Sequence, residues 1–549
     1  MSNVYEQDNA SAVADVEIDR LISFGDSYSD VPRSDDFKWV RKLTAAVPSD
    51  GLDSFAVAGA KARDHFNSQV NRFFRGGGTF SGRDLTSVYL GYNDVLAGGP
   101  LDEGKSDYRA EVRRLIDAGA TADGRRIFLA LIHDISKAPD PISSTEALVD
   151  DWNEFVAGFA NSNSNLVAVD LRTAFDRIVA DPARFGFTNV TTASSDPTAL
   201  YQDRVHFGER GQQVIAEIHQ HYLTRGWDWA NTVSAGSAGA TRLNQDIDNG
   251  LVLGFNQETG ETLGLAAFTF GDLSDRSNTF DVQAQPAEPG YRTALGFTEQ
   301  DGGAGLRYKA NENQTFGFAV GRYGTGFAED NGIGGNQGAV ETDGVALFWQ
   351  QGLGGLQFDS RFVYGKNEHT RRERDGLVGE ATSAHFEGDT TQFSQRLSLP
   401  LRQTGGWFTP WAEIVHQNQS VDTYKVNNIY LTELTYQGEN VTDIMTTFGF
   451  DAAVDPFEIN DRTVVKLQAG MAYSHALRAD DYQVSVREAS TGLSQSETVA
   501  REVEDRIEFR LGSSLDIDES WGINLGYVIN SNLSGNHDQS VTTRFRYRF

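Results

Sequence analysis

The chain has 549 residues, too many for one compact domain at roughly 150 residues each. Hydrophobic residues make up 39% and charged residues 23%, which excludes a disordered tail protein and allows a large core. Lys and Arg number 47 against 77 Asp and Glu, a net charge of −30 with Cys 0. That argues against nucleic acid or anionic lipid as an electrostatic partner, and it excludes disulfides, thiolate nucleophiles and Cys-ligated zinc.

Residues 1–10 carry neither a charged n-region nor an apolar h-region, so no secretory signal is readable there. From residue 18 the grammar is that of alternating strands and helices. The runs LISFGDS (21–27), LTSVYLGYND (85–94), RRIFLALIHD (125–134) and SNLVAVDL (164–171) each read as a buried strand ending in a polar turn. Between them, 107–120 and 144–162 carry helical spacing, the second opened by Ser144 and Glu146 in capping positions. A helix over 208–226 closes this half. Strand–helix alternation predicts a parallel sheet with helices on both faces.

Residues 229–248 are small and polar and read either as a flexible linker or as a helix packed in a tight polar space. Beyond 249 the period becomes two. Leu356, Phe358, Ser360, Phe362 and Tyr364 share one face; so do Phe393, Leu397, Leu399 and Leu401. Tyr291, Thr293, Leu295 and Phe297 alternate likewise, and the chain closes on Phe545, Tyr547 and Phe549. Such a pattern fits a soluble sandwich with the apolar face inward, or an outer-membrane barrel with it turned to lipid. Strand length, aromatics near strand ends and the terminal aromatic favour the barrel. About 300 residues at roughly 24 per strand and connection give about 12 strands. No stretch of about 18 apolar residues marks a transmembrane helix.

The chemistry-bearing residues lie in the first half. Ser27 follows a strand in Gly25-Asp26-Ser27, a place where a sheet's carboxyl edge can hold a nucleophile, although Asp- and Ser-rich turns are common. In Asp203-Arg204-Val205-His206, the carboxylate can reach Nδ1 of the imidazole and leave Nε2 free as a base. His133, after another strand, is the rival base. Asn93, in Gly91-Tyr92-Asn93-Asp94, can donate its amide to a developing oxyanion, and Gly59 can offer an unobstructed backbone N–H.

Ser27 in FGDSYSD, Gly59 in FAVAGA, Asn93 in GYND and Asp203 with His206 in DRVH resemble, in order, the four blocks of the GDSL (SGNH) hydrolases. The stretch 175–193 also resembles the segment that precedes the last block. Joined to the β-rich half, the chain resembles an autotransporter esterase. The resemblance implies an SGNH hydrolase passenger over 18–228, a linker or lumenal helix over 229–248, and a translocator barrel over 249–549. It implies a catalytic triad of Ser27, His206 and Asp203, and an oxyanion hole from Ser27, Gly59 and Asn93, with no metal or other cofactor. An ester substrate, outer-membrane lipid around the barrel, no nucleic acid and a monomeric state are the expected partners. The expected location is the bacterial outer membrane, with the hydrolase at the cell surface. Two departures stand out: Tyr28 replaces the leucine of the family's name, and Phe207-Gly208 follows His206 where Pro-Thr is frequent. The second could alter how the acyl or alcohol group is held. A soluble esterase with a non-membrane β module, or a decayed surface adhesin, are the alternative readings.

Overall fold

The computed structural model describes residues 12–13, 18–31, 37–47, 49, 51–139, 145–163, 165–254, 264–272, 292–297, 302–330, 335–374, 378, 380–499, 501–502, 505–517, 521–532 and 537–548. The readings of residues 1–10, Ser144, Tyr291 and Phe549 lie outside these.

Five parallel strands form the first sheet: β1 (Leu21–Gly25), β2 (Leu52–Ser54), β3 (Leu85–Tyr89), β4 (Arg126–Leu131) and β5 (Leu166–Asp170). Their spatial order is β2-β1-β3-β4-β5. β1, β3 and β5 are buried at every position, as a parallel sheet covered on both faces requires. The covering helices are α1 (Trp39–Ala46), α2 (Asn67–Arg75), α3 (Tyr92–Ala97), α4 (Asp102–Asp117), α5 (Glu146–Asn161), α6 (Leu171–Ala180) and α7 (Glu209–Gly254). This strand order reverses direction between β1 and β3, and the crevice at their carboxyl ends is where such sheets place a site. The sequence pattern had no sign of β2, which is three residues long and only partly buried.

The closing helix does not stop at residue 226. α7 runs unbroken for 46 residues, roughly 70 Å at 1.5 Å per residue. Its first turns carry Val214, Ile215, Ile218 and Tyr222 into the core of the first domain. Residues 234–240 then enter the second domain, where the small side chains have a steric reason. A Cβ on Gly239 would sit 2.4 Å from Thr342 Cβ, and one on Gly236 would sit 2.6 Å from Gln419 Nε2. Further on, Ala240, Leu243 and Ile247 pack against Phe268, Phe348 and Val363. Asp248 meets Arg361, Arg396 and Arg510. Residues 229–248 are therefore a helix, and the flexible-linker alternative is set aside.

The second domain is a closed antiparallel barrel of twelve strands. It begins with Gly264–Asp272 and ends with His537–Arg548, and these two pair with each other to shut the ring. Arg292–Phe297 pairs with the far end of Gln314–Asp330 on the same edge as Gly302–Asn311, and so continues that strand's place in the wall. Ala381–Ser398 alternates buried and exposed along its length. The exposed set is apolar: Phe318, Leu347, Phe362, Phe393, Phe448 and Leu511 all point outward. The enclosed set is polar: Arg361, Asn367, Gln392, Arg396, Gln419 and Arg510 are buried. A soluble sandwich would have the reverse, so the barrel reading holds and the soluble β module does not. No described helix is long and apolar enough to cross a membrane; the strands do so.

The two ends of the barrel differ. One has tight turns, such as Asn311 to Gln314, Leu353 to Leu356 and Asn460 to Thr463, and there Gly264 and Arg548 also lie. The other has longer loops, two of which build a separate four-stranded sheet from Tyr424–Asn427, Glu433–Tyr436, Tyr482–Glu488 and Ser494–Val499. The first domain rests at this loop end. An even division of residues among strands could not foresee this loop sheet.

Candidate active site

Ser27 sits in the first turn after β1. The Asp30 and Ser29 N–H groups bond back to Asp26 O at 2.8 and 3.1 Å, and the Tyr28 N–H bonds to Asp26 Oδ1 at 3.0 Å. This tight turn directly off a strand lifts the serine over the sheet edge. Gly25 makes it possible, because a Cβ there would approach Ser29 and Tyr89 O at 3.0 Å. Gln69 of α2 pins the glycine from both sides, its Nε2 donating to Gly25 O and its Oε1 accepting from Gly25 N.

Asp203 and His206 come from the loop before α7. The Val205 and His206 N–H groups both donate to Asp203 Oδ1, at 2.9 and 2.7 Å. Its Oδ2 stands 2.7 Å from His206 Nδ1, and His206 Nε2 stands 2.8 Å from Ser27 Oγ. The three residues predicted from sequence thus form one hydrogen-bonded line. Partial burial raises the Asp203 carboxyl, but the two backbone N–H groups and the imidazole outweigh it, and its pKa lies below the ordinary value. The ionised carboxylate favours the tautomer with hydrogen on Nδ1, leaving Nε2 to face the serine.

Gly59 lies in a turn, and Asn93 lies beside it in the first turn of α3. Gly59 has φ +76°, and nothing lies within 4 Å of where its Cβ would be. Asn93 Nδ2 donates to Ala60 O at 2.9 Å and to Asp26 Oδ2 at 3.3 Å. The amide is thereby tied both to the Gly59 loop and to the nucleophile turn. Asp94 reinforces the junction by accepting from Ala62 N at 2.8 Å and Arg63 N at 3.3 Å. Gly91 is required at its φ of +131°, and a Cβ there would strike the Trp152 indole at 2.2 Å.

The rival base takes no such part. His133 is fully enclosed, stacks on Phe207 at 4.2 Å between ring centroids, and lies 3.3 Å from Tyr28 Oη. Burial holds its pKa well below the usual histidine value. Tyr28 also donates to Val205 O, so it bridges the serine turn to the histidine loop. Phe207 is buried between His133 and Phe175, where it anchors the loop.

Sequence reasoning missed Asp26, Gln69 and Asp94 as organisers of the site. Asp26 and Asp94 stand beside predicted residues and could have been found by asking what holds Ser27 and Asn93. Gln69 carries no sequence signal, because a helix 44 residues away brings it in. Burial lifts the Asp26 carboxyl to about 7, opposed in part by the Tyr28 N–H. Among the described residues no group of three or more His, Asp or Glu is arranged to hold a metal ion.

Residues 21–218 match the family described as GDSL-like lipase/acylhydrolase, and residues 276–528 match the autotransporter β-domain. No curated protein matches the chain. Among solved structures, the translocator domain of the autotransporter NalP from Neisseria meningitidis is similar at 14% identity and TM-score 0.41, covering 58% of this chain and 99% of that one. The β domain of the Bordetella autotransporter BrkA is similar at 14% identity and TM-score 0.35, covering 53% of this chain and 100% of its own. A lipolytic G-D-S-L family protein from Veillonella parvula is similar at 18% identity and TM-score 0.28, covering 38% and 98%. The chain joins a GDSL-like lipase/acylhydrolase domain to an autotransporter β-domain, a hydrolase carried by an outer-membrane barrel.

Proposed function

We propose that the protein is a serine ester hydrolase held at the cell surface by its barrel. The observation that carries this is the line Asp203–His206–Ser27, with contacts of 2.7 and 2.8 Å. Ser27 Oγ attacks an ester carbonyl while His206 Nε2 takes its proton. Asp203 orients the imidazole and stabilises its charged form. The imidazolium returns the proton to the leaving alcohol, and an acyl group remains on Ser27. Water then attacks with His206 again as base, releasing the acid and restoring the serine.

The oxyanion is received by the Ser27 and Gly59 N–H groups and the Asn93 amide. Asn93 already spends one N–H on Ala60 O at 2.9 Å. The other meets Asp26 at 3.3 Å, a long bond that a developing negative charge would readily replace.

Display rests on the asymmetry of the barrel. Barrels of this kind keep short turns in the periplasm and longer loops outside. The hydrolase sits at the loop end, and α7 passes through the lumen to the turn end. We read 18–228 as the catalytic passenger, 229–248 as its lumenal segment and 249–549 as the translocator, acting as a monomer in outer-membrane lipid on an ester substrate, without nucleic acid.

The test is hydrolysis of p-nitrophenyl esters from two to sixteen carbons by intact cells expressing the native chain or Ser27→Ala. Activity on intact cells that vanishes in the variant supports both serine catalysis and display, and the chain-length profile begins to define the acyl group. Equal activity in the variant would overturn the nucleophile, and activity seen only after lysis would overturn display.

A further inference from the structure

The loop sheet of the barrel is joined to the hydrolase by more than proximity. Its apolar residues Leu434, Tyr436, Val484 and Val486 belong to the same continuous core as the hydrolase strands. Tyr430 stacks on Phe185 and its hydroxyl donates to Glu217 at 2.6 Å. Arg177 Nε donates to Ile429 O at 3.1 Å.

The charges also match across the boundary. The hydrolase brings two cations, Arg126 from β4 and Arg225 from α7. The loops bring two anions, Glu488 and Glu497. Arg225 pairs with Glu488 at 2.9 Å, both side chains almost wholly enclosed, and Arg126 pairs with Glu497. Tyr222 donates its hydroxyl to Glu488 at 3.0 Å. Gln495 completes the set by accepting from Arg225 and donating to Ala168 O at 3.2 Å. Ala168 lies on β5, the outermost strand of the hydrolase sheet. Without the loops its carbonyl edge would be unfilled, and Arg225 would be a cation buried against Tyr222 with no anion. Both conditions are costly.

We infer that the barrel loops are a folding platform for the hydrolase, supplying the groups that bond its edge strand and neutralise buried Arg225 and part-buried Arg126. The emerging chain reaches its closed form only when α7 is seated in the lumen and the platform lies beside it. The hydrolase is then held docked instead of released. Before export it lacks the anions its arginines need, which keeps it open enough to be threaded. This inference rests on the reading of the domain as a displayed hydrolase.

The test uses the full chain in outer membranes, in a Ser27→Ala background, so that it does not depend on catalysis. The variants are Glu488→Arg, the exchange Arg225→Glu with Glu488→Arg, and Tyr430→Ala. Heat-modifiable migration reports the barrel, and the rate of tryptic loss of the hydrolase band on intact cells reports the docked domain. Glu488→Arg should leave barrel migration unchanged and speed tryptic loss by about 100-fold, since breaking a buried pair exposes two unmatched charges. The exchange should recover part of that loss. Tyr430 stacks on Phe185 and bonds to Glu217 of the hydrolase, and Tyr430→Ala should act in the same direction by about ten-fold. It decides the matter should Glu488→Arg disturb the barrel. Native resistance in Tyr430→Ala, or in Glu488→Arg with its barrel intact, would overturn the platform. A serine chain inactive on every ester but protease-resistant in the native loops would instead count against the esterase reading alone.

Discussion

The hydrolase and the barrel solve the burial problem in opposite directions. In the hydrolase, β1, β3 and β5 bury every side chain, and most of these are apolar. In the barrel, Phe318, Leu347 and Phe393 face outward while Arg361, Arg396 and Arg510 are enclosed. The difference lies in the solvent. Water drives apolar surface inward, whereas a bilayer accepts apolar surface outward and leaves the lumen to polar groups. The enclosed cations are tolerated because α7 brings Asp248 among them and the wall adds Asp451 and Glu413. The hydrolase also encloses charged groups, and one of them, Asp26, lies at the point where the site is built.

Replacing His206 by alanine should break this division most clearly. Turnover should fall by about 10⁴- to 10⁶-fold, as in other serine hydrolases, while heat-modifiable barrel migration stays unchanged. Ester kinetics beside a gel shift would check it, and loss of both together would mean the domains do not behave separately at the site. Asn93→Ala should lower kcat by about 100- to 1,000-fold with little change in KM; an effect confined to KM would deny the asparagine a role in the transition state.

A matched pair of leucines sharpens the contrast. Leu129 of β4 is fully enclosed, so Leu129→Ala should cost the hydrolase about 2–5 kcal/mol. Leu347 is 57% exposed on the outer face. Its change to alanine should cost less, and Leu347→Arg should cost about 2–4 kcal/mol if it lies near the bilayer midplane. Thermal loss of esterase activity and of the compact barrel band would give the two values separately. Equal costs for the two alanine variants would refute the lipid-facing assignment.

A further expected effect is a pH slope. Burial raises Asp26 to about 7 in the folded chain, from 3.8 in the open one. Its contribution to stability is fully present below about pH 4 and is lost as the pH rises through about 7. Asp26→Asn removes this titration. Relative to the variant, the native hydrolase should therefore lose thermal stability between about pH 4 and about pH 7. Parallel melting temperatures across that window would show that Asp26 carries no such shift.

Much of the site was legible because its chemistry sits in short local motifs. Asp203 stands three positions before His206, and the two close one turn in which the Val205 and His206 N–H groups reach the same carboxylate. Ser27 and Asn93 each follow an apolar strand, and parallel pairing brings those strand ends side by side. What remained hidden came from distance. Gln69, Lys38 donating to Ser27 O at 2.8 Å, and the Tyr28 bridge to Val205 O depend on which helices and loops fold back over the turn. The loop sheet was hidden for a similar reason, since its strands are short and come from separate loops of the barrel.

The sequence by itself determined the two grammars, the proposed nucleophile, base and orienting carboxylate, and the alternation that becomes a barrel wall, because each is written in residues a few positions apart. The tertiary structure alone decided which face of that wall meets lipid. It also decided that the hydrolase's last helix and the lumenal segment are one rod, and that barrel loops neutralise arginines some 260 to 370 residues away. These depend on solvent, on the width of the lumen against Gly236 and Gly239, and on charges that meet only when the chain has closed on itself.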